Sequence, residues 1–92
     1  MFYFRLMFWA DWGDPPKIER SSLSGSDRTF LVRTGLNQPV GLVIDYKRDR
    51  LYWVDYADGT INSVDLVGQK RRSHIHMHGA KFFGIAIYEV IH

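Results

Sequence analysis

The chain has 92 residues, of which 46% are hydrophobic and 15% aromatic, and its formal net charge is +2. This composition excludes a disordered chain, and the mild charge gives no indication of a nucleic-acid or anionic-membrane partner. The sequence contains no cysteine, which excludes a small domain held together by disulfides.

The first ten residues, MFYFRLMFWA, are apolar, but they are too few to span a bilayer and Arg5 interrupts them. No small-residue cleavage pattern follows, so the sequence predicts neither a signal peptide nor a direct membrane contact. Residues 1–6 carry no strand pattern of the kind seen later, and we interpret them as a truncated or atypical start.

Alternation of apolar and polar residues then predicts three strands in residues 7–34, which we interpret as a partial first unit. Their sequences are LMFWAD, KIERSSL and TFLVRT. Residues 35–78 predict four antiparallel strands, namely GLVIDY (41–46), RLYWVD (50–55), TINSVDL (60–66) and SHIHMH (73–78). Residues 79–92 predict only the first strand of a third unit, FGIAIYEV. No segment has a helical period.

The chain repeats itself with a period of 43–44 residues. Equivalent positions are Trp9 and Trp53, Asp11 and Asp55, Ile18 and Ile61, Gly25 and Gly68, and Gly41 and Gly84. The change from 44 to 43 places one extra residue in the loop between Asp11 and Ile18. Four-stranded antiparallel units at this period are typical of propeller blades. The sequence therefore predicts an all-β fold of about two four-stranded blades, cut out of register.

The repeated motifs resemble a known family. FWAD (8–11) and YWVD (52–55) resemble the YWTD motif of low-density lipoprotein receptor class B repeats. Residues 11–28 are similar to the family's stretch between one motif and the next turn, and residues 36–55 to its inter-blade link, inner strand and next motif. The resemblance covers residues 7–88 and is nearest to the receptor-related proteins. Ala10 and Val54 depart from the motif's threonine, and Phe82 from the usual proline.

The resemblance implies a six-bladed propeller in the ectodomain of a cell-surface receptor, flanked by epidermal-growth-factor-like modules. It further implies an extracellular protein ligand, an endocytic or Wnt-type role, and no catalysis or cofactor. Six blades of about 43 residues need roughly 260 residues, the size of a large all-β domain. An alternative of another class is a propeller hydrolase or lactonase with a metal in its channel. Its carboxylates would have to come from inner strands, where the sequence offers Asp45 and Glu89.

The motif residues themselves are interpreted as structural. An aspartate at a strand end accepts backbone N–H groups and fixes the following turn, and this role recurs once per unit for Asp11 and Asp55. Large aromatic side chains suit the wedge between blades, and adjacent residues on a strand point to opposite faces. The remaining structural positions are Phe8, Trp9, Tyr52, Trp53, Gly41 and Gly84, the two glycines being placed where inner strands begin.

Four loop residues are candidates for a ligand-binding face. Trp12 and Asp14 lie in the loop after the first motif, and Tyr56 and Asp58 lie in its counterpart 44 residues later. Trp12 follows the motif directly and precedes Pro15 and Pro16, so we expect it on the surface.

Metal binding is the remaining alternative for two segments. His74, His76 and His78 share one strand face and could bind zinc or copper, but no acidic or cysteine partner is near in sequence. Residues 55–59, DYADG, lack the third oxygen ligand and closing glutamate of a calcium loop. We predict no metal site. A third possibility is that two blades have no autonomous role, since unpaired edges favour association.

Overall fold

The structure is a computed structural model that describes residues 6–76, with the last two residues described by their backbone alone. Within this range the chain forms seven β-strands joined by short turns. The strands are β1 (Leu6–Asp11), β2 (Lys17–Ser22), β3 (Thr29–Val32), β4 (Pro39–Asp45), β5 (Arg50–Asp55), β6 (Thr60–Asp65) and β7 (Arg72–His76).

The strands form two antiparallel sheets, one with the order β1-β2-β3 and one with the order β4-β5-β6-β7. The predicted all-β fold with three strands followed by four is therefore confirmed. The repeat is also present in the pairing, since Ala10 lies opposite Ile18 in the first sheet and Val54 opposite Ile61 in the second. On the other side of these isoleucines, the pairing of β2 with β3 and that of β6 with β7 both shift register directly after the isoleucine.

The turns after β2 and β6 have the same geometry. Gly25 and Gly68 have φ values of 87° and 89°, a left-handed conformation that glycine adopts at little cost. Their N–H groups donate to Ser22 O at 2.9 Å and Asp65 O at 3.1 Å. The loop between β1 and β2 is one residue longer than that between β5 and β6, as the change in repeat spacing predicted.

One apolar core fills the space between the two sheets. Each sheet contributes apolar side chains from its strands and from the adjoining link or turn, and each needs the other sheet to bury them. The buried members are Ile18, Leu31, Val32 and Leu36 on one side and Leu51, Trp53, Val64 and Leu66 on the other. Phe8, Leu42 and Ile44 pack against this cluster and are partly buried.

The backbones of the two sheets also come close at the turn after β6. A Cβ built on Gly68 would lie 2.7 Å from the carbonyl oxygen of Leu31, which leaves room only for glycine. Nearby, the guanidinium of Arg20 on β2 donates to the carbonyl oxygen of Leu66. The sheets are thus joined by polar contacts at the margin of the apolar core.

Candidate functional site

The loop after β1 is fixed onto the second sheet by one hydrogen bond. Trp12 begins this loop, and its indole N–H donates to the carbonyl oxygen of Pro39 at 2.8 Å. The rest of the side chain lies on the surface, where Trp12 is 57% exposed. An exposed aromatic side chain that is held in one orientation can contact a partner without a large loss of conformational entropy.

Trp12 and Tyr56 line the same cleft. The cleft has a volume of about 220 Å³ and is walled by Trp12, Gln38, Val40 and Tyr56. Two of these residues occupy equivalent positions in the two repeats, and the other two belong to the link into β4 and its first residues. The structure therefore brings together the two aromatic members of the predicted ligand-binding face. The cleft is too small for a folded element, but it is large enough for one apolar side chain.

The two acidic members of that face lie outside the walls of the cleft. Asp14 is exposed, and within residues 6–76 its carboxylate has neither a hydrogen bond nor an ion pair. Asp58 is also exposed, and it accepts a hydrogen bond from the side-chain amide of Asn37. Both carboxylates nevertheless lie in loops that contain a wall residue of the cleft, so they add negative charge at the same end of the sheets.

Asp55 accepts backbone N–H groups from two different loops. Its carboxylate accepts the N–H of Asn37 at 2.8 Å, of Gln38 at 3.1 Å and of Asp58 at 3.3 Å. Asp55 is 1% exposed, so these donors satisfy a carboxylate that water scarcely reaches. It ties the link before β4 to the turn after β5, an arrangement that holds one wall of the cleft.

Asp11 has the same position at the end of β1 and a simpler environment. Within the described residues its carboxylate accepts one backbone N–H, that of Gly13 at 2.8 Å. Asp11 and Asp55 lie at the ends of different strands in different sheets, each turned to its own loops, which does not correspond to a catalytic pair acting on one substrate.

The aromatic motif residues pack between and against the sheets. Trp53 is fully buried in the core, and Phe8 is packed against the same core from β1. On the other face of the second sheet, the ring of Tyr52 lies 5.2 Å from that of His74. Trp9 is half-buried, with the guanidinium of Arg28 at 5.3 Å from its ring. These four side chains do not form a common surface.

The prediction for Gly41 requires a correction. The sequence predicts that Gly41 begins an inner strand, but β4 begins two residues earlier, at Pro39, because the link held by Asp55 continues directly into pairing with β5. Gly41 instead lies at a register shift between Val40 and Val43, with a φ of 63°. Glycine is used there for a β-bulge. Its counterpart Gly84 lies outside the described residues.

The predicted histidine face is described only at His74. Its Nε2 is in hydrogen-bond contact with the hydroxyl of Ser63, and partial burial lowers the pKa of His74, with the positive charges of Arg50 and Arg72 lowering it further. The side chains of residues 76 and 78 lie outside the described part. Within that part, no three histidine, cysteine or acidic side chains are grouped as metal ligands would be.

The inner-strand acid Asp45, the last residue of β4, forms hydrogen bonds and an ion pair with the turn that follows it. Its carboxylate accepts the N–H groups of Lys47 and Arg48 at 3.2 and 3.3 Å, and it forms an ion pair with the Arg48 guanidinium at 3.0 Å. It is thus a turn-forming aspartate. The other inner-strand acid, Glu89, lies outside the described residues.

One structural residue had no signal in the sequence. Arg71 is part of a basic run that suggests only a solvated turn, yet its guanidinium stacks over Trp53 at 5.4 Å. The same group donates to the carbonyl oxygens of Thr34 at 2.6 Å and Gly35 at 2.9 Å. Arg71 therefore fastens the link between the sheets. Nothing local in the sequence distinguishes it from its neighbours Lys70 and Arg72, because its hydrogen-bond partners Thr34 and Gly35 are more than 30 residues away and Trp53 lies on another strand.

Within residues 6–76 there is no helix with the length and hydropathy required to cross a membrane.

Comparison with known families finds a match to the low-density lipoprotein receptor repeat class B over residues 5–46.

Two similar relatives are receptors or receptor-related proteins. The vitellogenin receptor Yl of Drosophila melanogaster is 37% identical over 84 residues, which is 91% of this chain and 4% of the receptor. The low-density lipoprotein receptor-related protein 5-like protein of Homo sapiens is 34% identical over 68 residues, 74% of this chain and 27% of that protein. The chain thus spans much less than two thirds of either relative.

Among solved structures, a chain in the crystal structure of a nidogen/laminin complex is similar, with a TM-score of 0.78 and 31% sequence identity. The match covers 88% of this chain and 31% of that chain, whose fold is a YWTD β-propeller.

Proposed function

Because this chain belongs to the low-density lipoprotein receptor class B repeat family, we propose that it is a ligand-binding segment of a receptor propeller. The two sheets correspond to consecutive blades. In this proposal the segment recognises an extracellular protein, on the extracellular side of a cell-surface receptor. It catalyses no reaction and carries no cofactor.

One observation carries the proposal, namely the cleft between Trp12 and Tyr56. Apart from this cleft, the motif aromatics and the motif aspartate Asp55 are engaged in holding the sheets together. The cleft combines an anchored, exposed tryptophan with a tyrosine and a valine, and carboxylates lie in the adjoining loops. Aromatic anchors with a polar rim are the usual composition of protein-binding hot spots. The ligand proposed here therefore inserts an apolar side chain next to basic residues.

The relatives support a protein ligand. By its name, the Drosophila relative is a receptor for vitellogenin, and the structural neighbour comes from a complex of two proteins, nidogen and laminin. The proposal extends this class of ligand, a protein, to the present chain. Flanking epidermal-growth-factor-like modules and an endocytic or Wnt-type role belong to the same proposal, at the level of the whole receptor.

The proposal is tested with peptides as probes. A phage-displayed random peptide library is selected on the immobilised chain, and the affinity of each selected peptide is then measured for the Trp12→Ala and Tyr56→Ala variants. We expect a loss of about tenfold or more for each variant, the effect of losing a binding hot spot. Phe30→Ala is the matched control, because Phe30 is 48% exposed on β3, away from the cleft.

Circular dichroism shows whether each variant keeps the sheet content of the unmodified chain. Peptides that bind Trp12→Ala and Tyr56→Ala as tightly as the unmodified chain, but lose affinity for Phe30→Ala, would assign binding to another surface and refute the proposal.

A further inference from the structure

A second cleft lies at the opposite end of the second sheet from the cleft of Trp12 and Tyr56. Tyr56 follows the last residue of β5, whereas this cleft lies around Arg50, the first residue of β5. Its volume is about 480 Å³, within the range of roughly 300–1,000 Å³ that ligand pockets occupy. Its walls come from the turns after β4 and β6 and from the strand ends beside them, all within one sheet. We call it the basic cleft.

The walls of the basic cleft are mostly charged. Among the described residues they contain four cationic side chains and two carboxylates, which leaves a net charge of +2. The formal net charge of the whole chain is also +2, so the charges of all other residues cancel. The six charged wall residues are Arg48, Arg50, Lys70 and Arg72, with Asp49 and Asp65.

Arg50 is a buried cation without a carboxylate. It is 7% exposed, and its guanidinium donates to the hydroxyl of Ser63 from Nε at 3.0 Å and from Nη2 at 2.8 Å. Nη2 also donates to the carbonyl oxygen of Lys70 at 2.6 Å. Nη1 has no hydrogen bond within residues 6–76, and none of the ion pairs in that range includes Arg50. A buried charge that has only neutral partners is stabilised by an anion that reaches it.

The carboxylates beside Arg50 do not supply that anion. Asp65 lies directly opposite Arg50 in the sheet, but its carboxylate accepts the N–H groups of Val67 at 3.1 Å and of Gln69 at 2.8 Å. Asp49 is exposed, and its carboxylate forms no ion pair within the described range. The positive charge of the basic cleft is therefore not neutralised from within the sheet.

The repeated fold does not require the two exposed cations of the cleft. The turns after β2 and β6 have the same backbone, and both Asp27 and its equivalent Lys70 have a φ of 53°. Thr29 begins β3 at the place where Arg72 begins β7. The first repeat thus builds the same structure with an acidic and a neutral residue. Lys70 and Arg72 are exposed and form no ion pair within residues 6–76, so both can contact a ligand.

We propose that the basic cleft binds a carboxylate side chain of an acidic peptide. The guanidinium of Arg50 donates from the buried side of the cleft, and Lys70 and Arg72 contact the carboxylate from the exposed side. Asp49 and Asp65 disfavour a dense polyanion such as a sulfated glycan, because each further negative group would come close to them. The partner is thus a protein segment with one or two adjacent acidic residues. This site and its partner are independent of the function proposed above.

The test is an NMR titration of the nitrogen-15-labelled chain with the end-blocked tetrapeptide Gly-Glu-Glu-Gly. We expect shifts of the Arg50 Nε–H signal and of the backbone amides of Val67 and Lys70. The end-blocked peptide Gly-Gln-Gln-Gly is the control ligand and should cause none of these shifts. Arg50 itself is left unchanged because it is buried, and its own side-chain signal reports the contact.

Substitutions of exposed residues test which charges bind the peptide. Lys70→Gln and Arg72→Gln should each lower its affinity about threefold or more, since each removes a charge-assisted hydrogen bond. Arg33→Gln is the matched control and should leave the affinity unchanged, because Arg33 is exposed and is not a wall residue. Asp49→Asn should raise the affinity about twofold, a gain that unfolding cannot produce. Asparagine tolerates the left-handed φ of 52° at this position.

Three results would overturn the proposal. One is an Arg50 Nε–H signal that does not move at saturating glutamate peptide, or that moves equally with the glutamine peptide. Another is an equal loss of affinity with Arg33→Gln and Arg72→Gln, which would show general attraction to positive charge. The third is a heparin tetrasaccharide that binds through Lys70 and Arg72 more tightly than the glutamate peptide, which would assign the cleft to a sulfated glycan.

Discussion

The carboxylate of Asp55 is the group on which the local geometry of the candidate surface depends most. It accepts three backbone N–H groups, two from the link before β4 and one from the turn after β5. A buried N–H group without a partner lowers the free energy of unfolding by about 1–3 kcal/mol. Because one carboxylate accepts three such groups, its loss would leave several donors unsatisfied at once. Gln38, which borders the cleft, is held in place through this carboxylate.

Asp55→Ala should therefore lower the free energy of unfolding by about 2–4 kcal/mol, because three donors lose their acceptor. Asp14→Ala is the control, since its carboxylate has no hydrogen bond within the described residues, and it should change the value by less than about 0.5 kcal/mol. Urea unfolding followed by circular dichroism measures both. Equal effects of the two substitutions would show that the hydrogen bonds of Asp55 do not stabilise the fold.

His74 gives a prediction that depends on pH. Partial burial lowers its pKa from the usual 6.5, and the charges of Arg50 and Arg72 act in the same direction. The folded state thus disfavours the protonated imidazole, so the contribution of His74 to stability is present above pH 6.5 and is lost as the pH falls through the folded pKa. An NMR titration should give a pKa below 6.5 for His74, and Arg72→Gln should raise it. A pKa at or above 6.5 would contradict the geometry.

Whether the role of a single residue can be predicted from the sequence depends on how far along the chain its contacts lie. The role of Asp55 could be inferred because an aspartate at a strand end has local donors as well as distant ones. The ion pair between the buried Glu19 and the exposed Arg28, and the stacking of Arg71 on Trp53, could not be inferred. Each depends on which strands become neighbours, and a charged residue in a polar stretch gives no sign of its partner.

At the level of elements, the turns after β2 and β6 have the same backbone geometry, but only the second turn also lies against the other sheet. Gly25 and Gly68 have nearly the same φ and the same hydrogen bond. Around Gly25 a Cβ would meet nothing within 4 Å, whereas at Gly68 it would lie 2.7 Å from Leu31 O. The first glycine is required by the turn alone, and the second also by the approach of the other sheet.

This difference predicts unequal effects of the same substitution. Gly25→Ala should cost about 1 kcal/mol, the penalty of a left-handed residue with a side chain. Gly68→Ala adds a clash between the Cβ and a backbone oxygen, and it should cost about 1–3 kcal/mol more. Thermal or urea unfolding of the two variants measures the difference. If both lose the same free energy, the sheets do not approach each other at this turn.

The sequence predicts the strands well. It also predicts their starts and ends where turn residues interrupt the alternation of apolar and polar residues. The start of β4 was the exception. Gly41 suggested a beginning, but the backbone already pairs from Pro39 because Asp55 holds the preceding link against β5. A glycine in a strand can mark a bulge as well as an end, and the sequence alone does not distinguish the two.

At the scale of the whole molecule, the two repeats are joined by a continuous apolar core and by polar contacts at its margin. Arg20 contacts the carbonyl of Leu66, Arg71 holds the link between the sheets, and Trp12 donates to the carbonyl of Pro39. Because these contacts connect residues at least 27 positions apart, each requires the sheets to be stacked. The repeat could be read from the sequence, but the cleft formed by Trp12 and Tyr56 required knowledge of how the loops meet.

The most direct test of the stacked arrangement, and of the cleft it forms, is a nuclear Overhauser measurement on the indole N–H of Trp12. The account predicts slow exchange of this proton with water and cross-peaks to protons of Pro39 and Val40, since the nitrogen lies 2.8 Å from Pro39 O. An indole proton that exchanges freely and shows cross-peaks only to its own loop would mean that the sheets do not meet in this way, and that the proposed binding cleft does not exist.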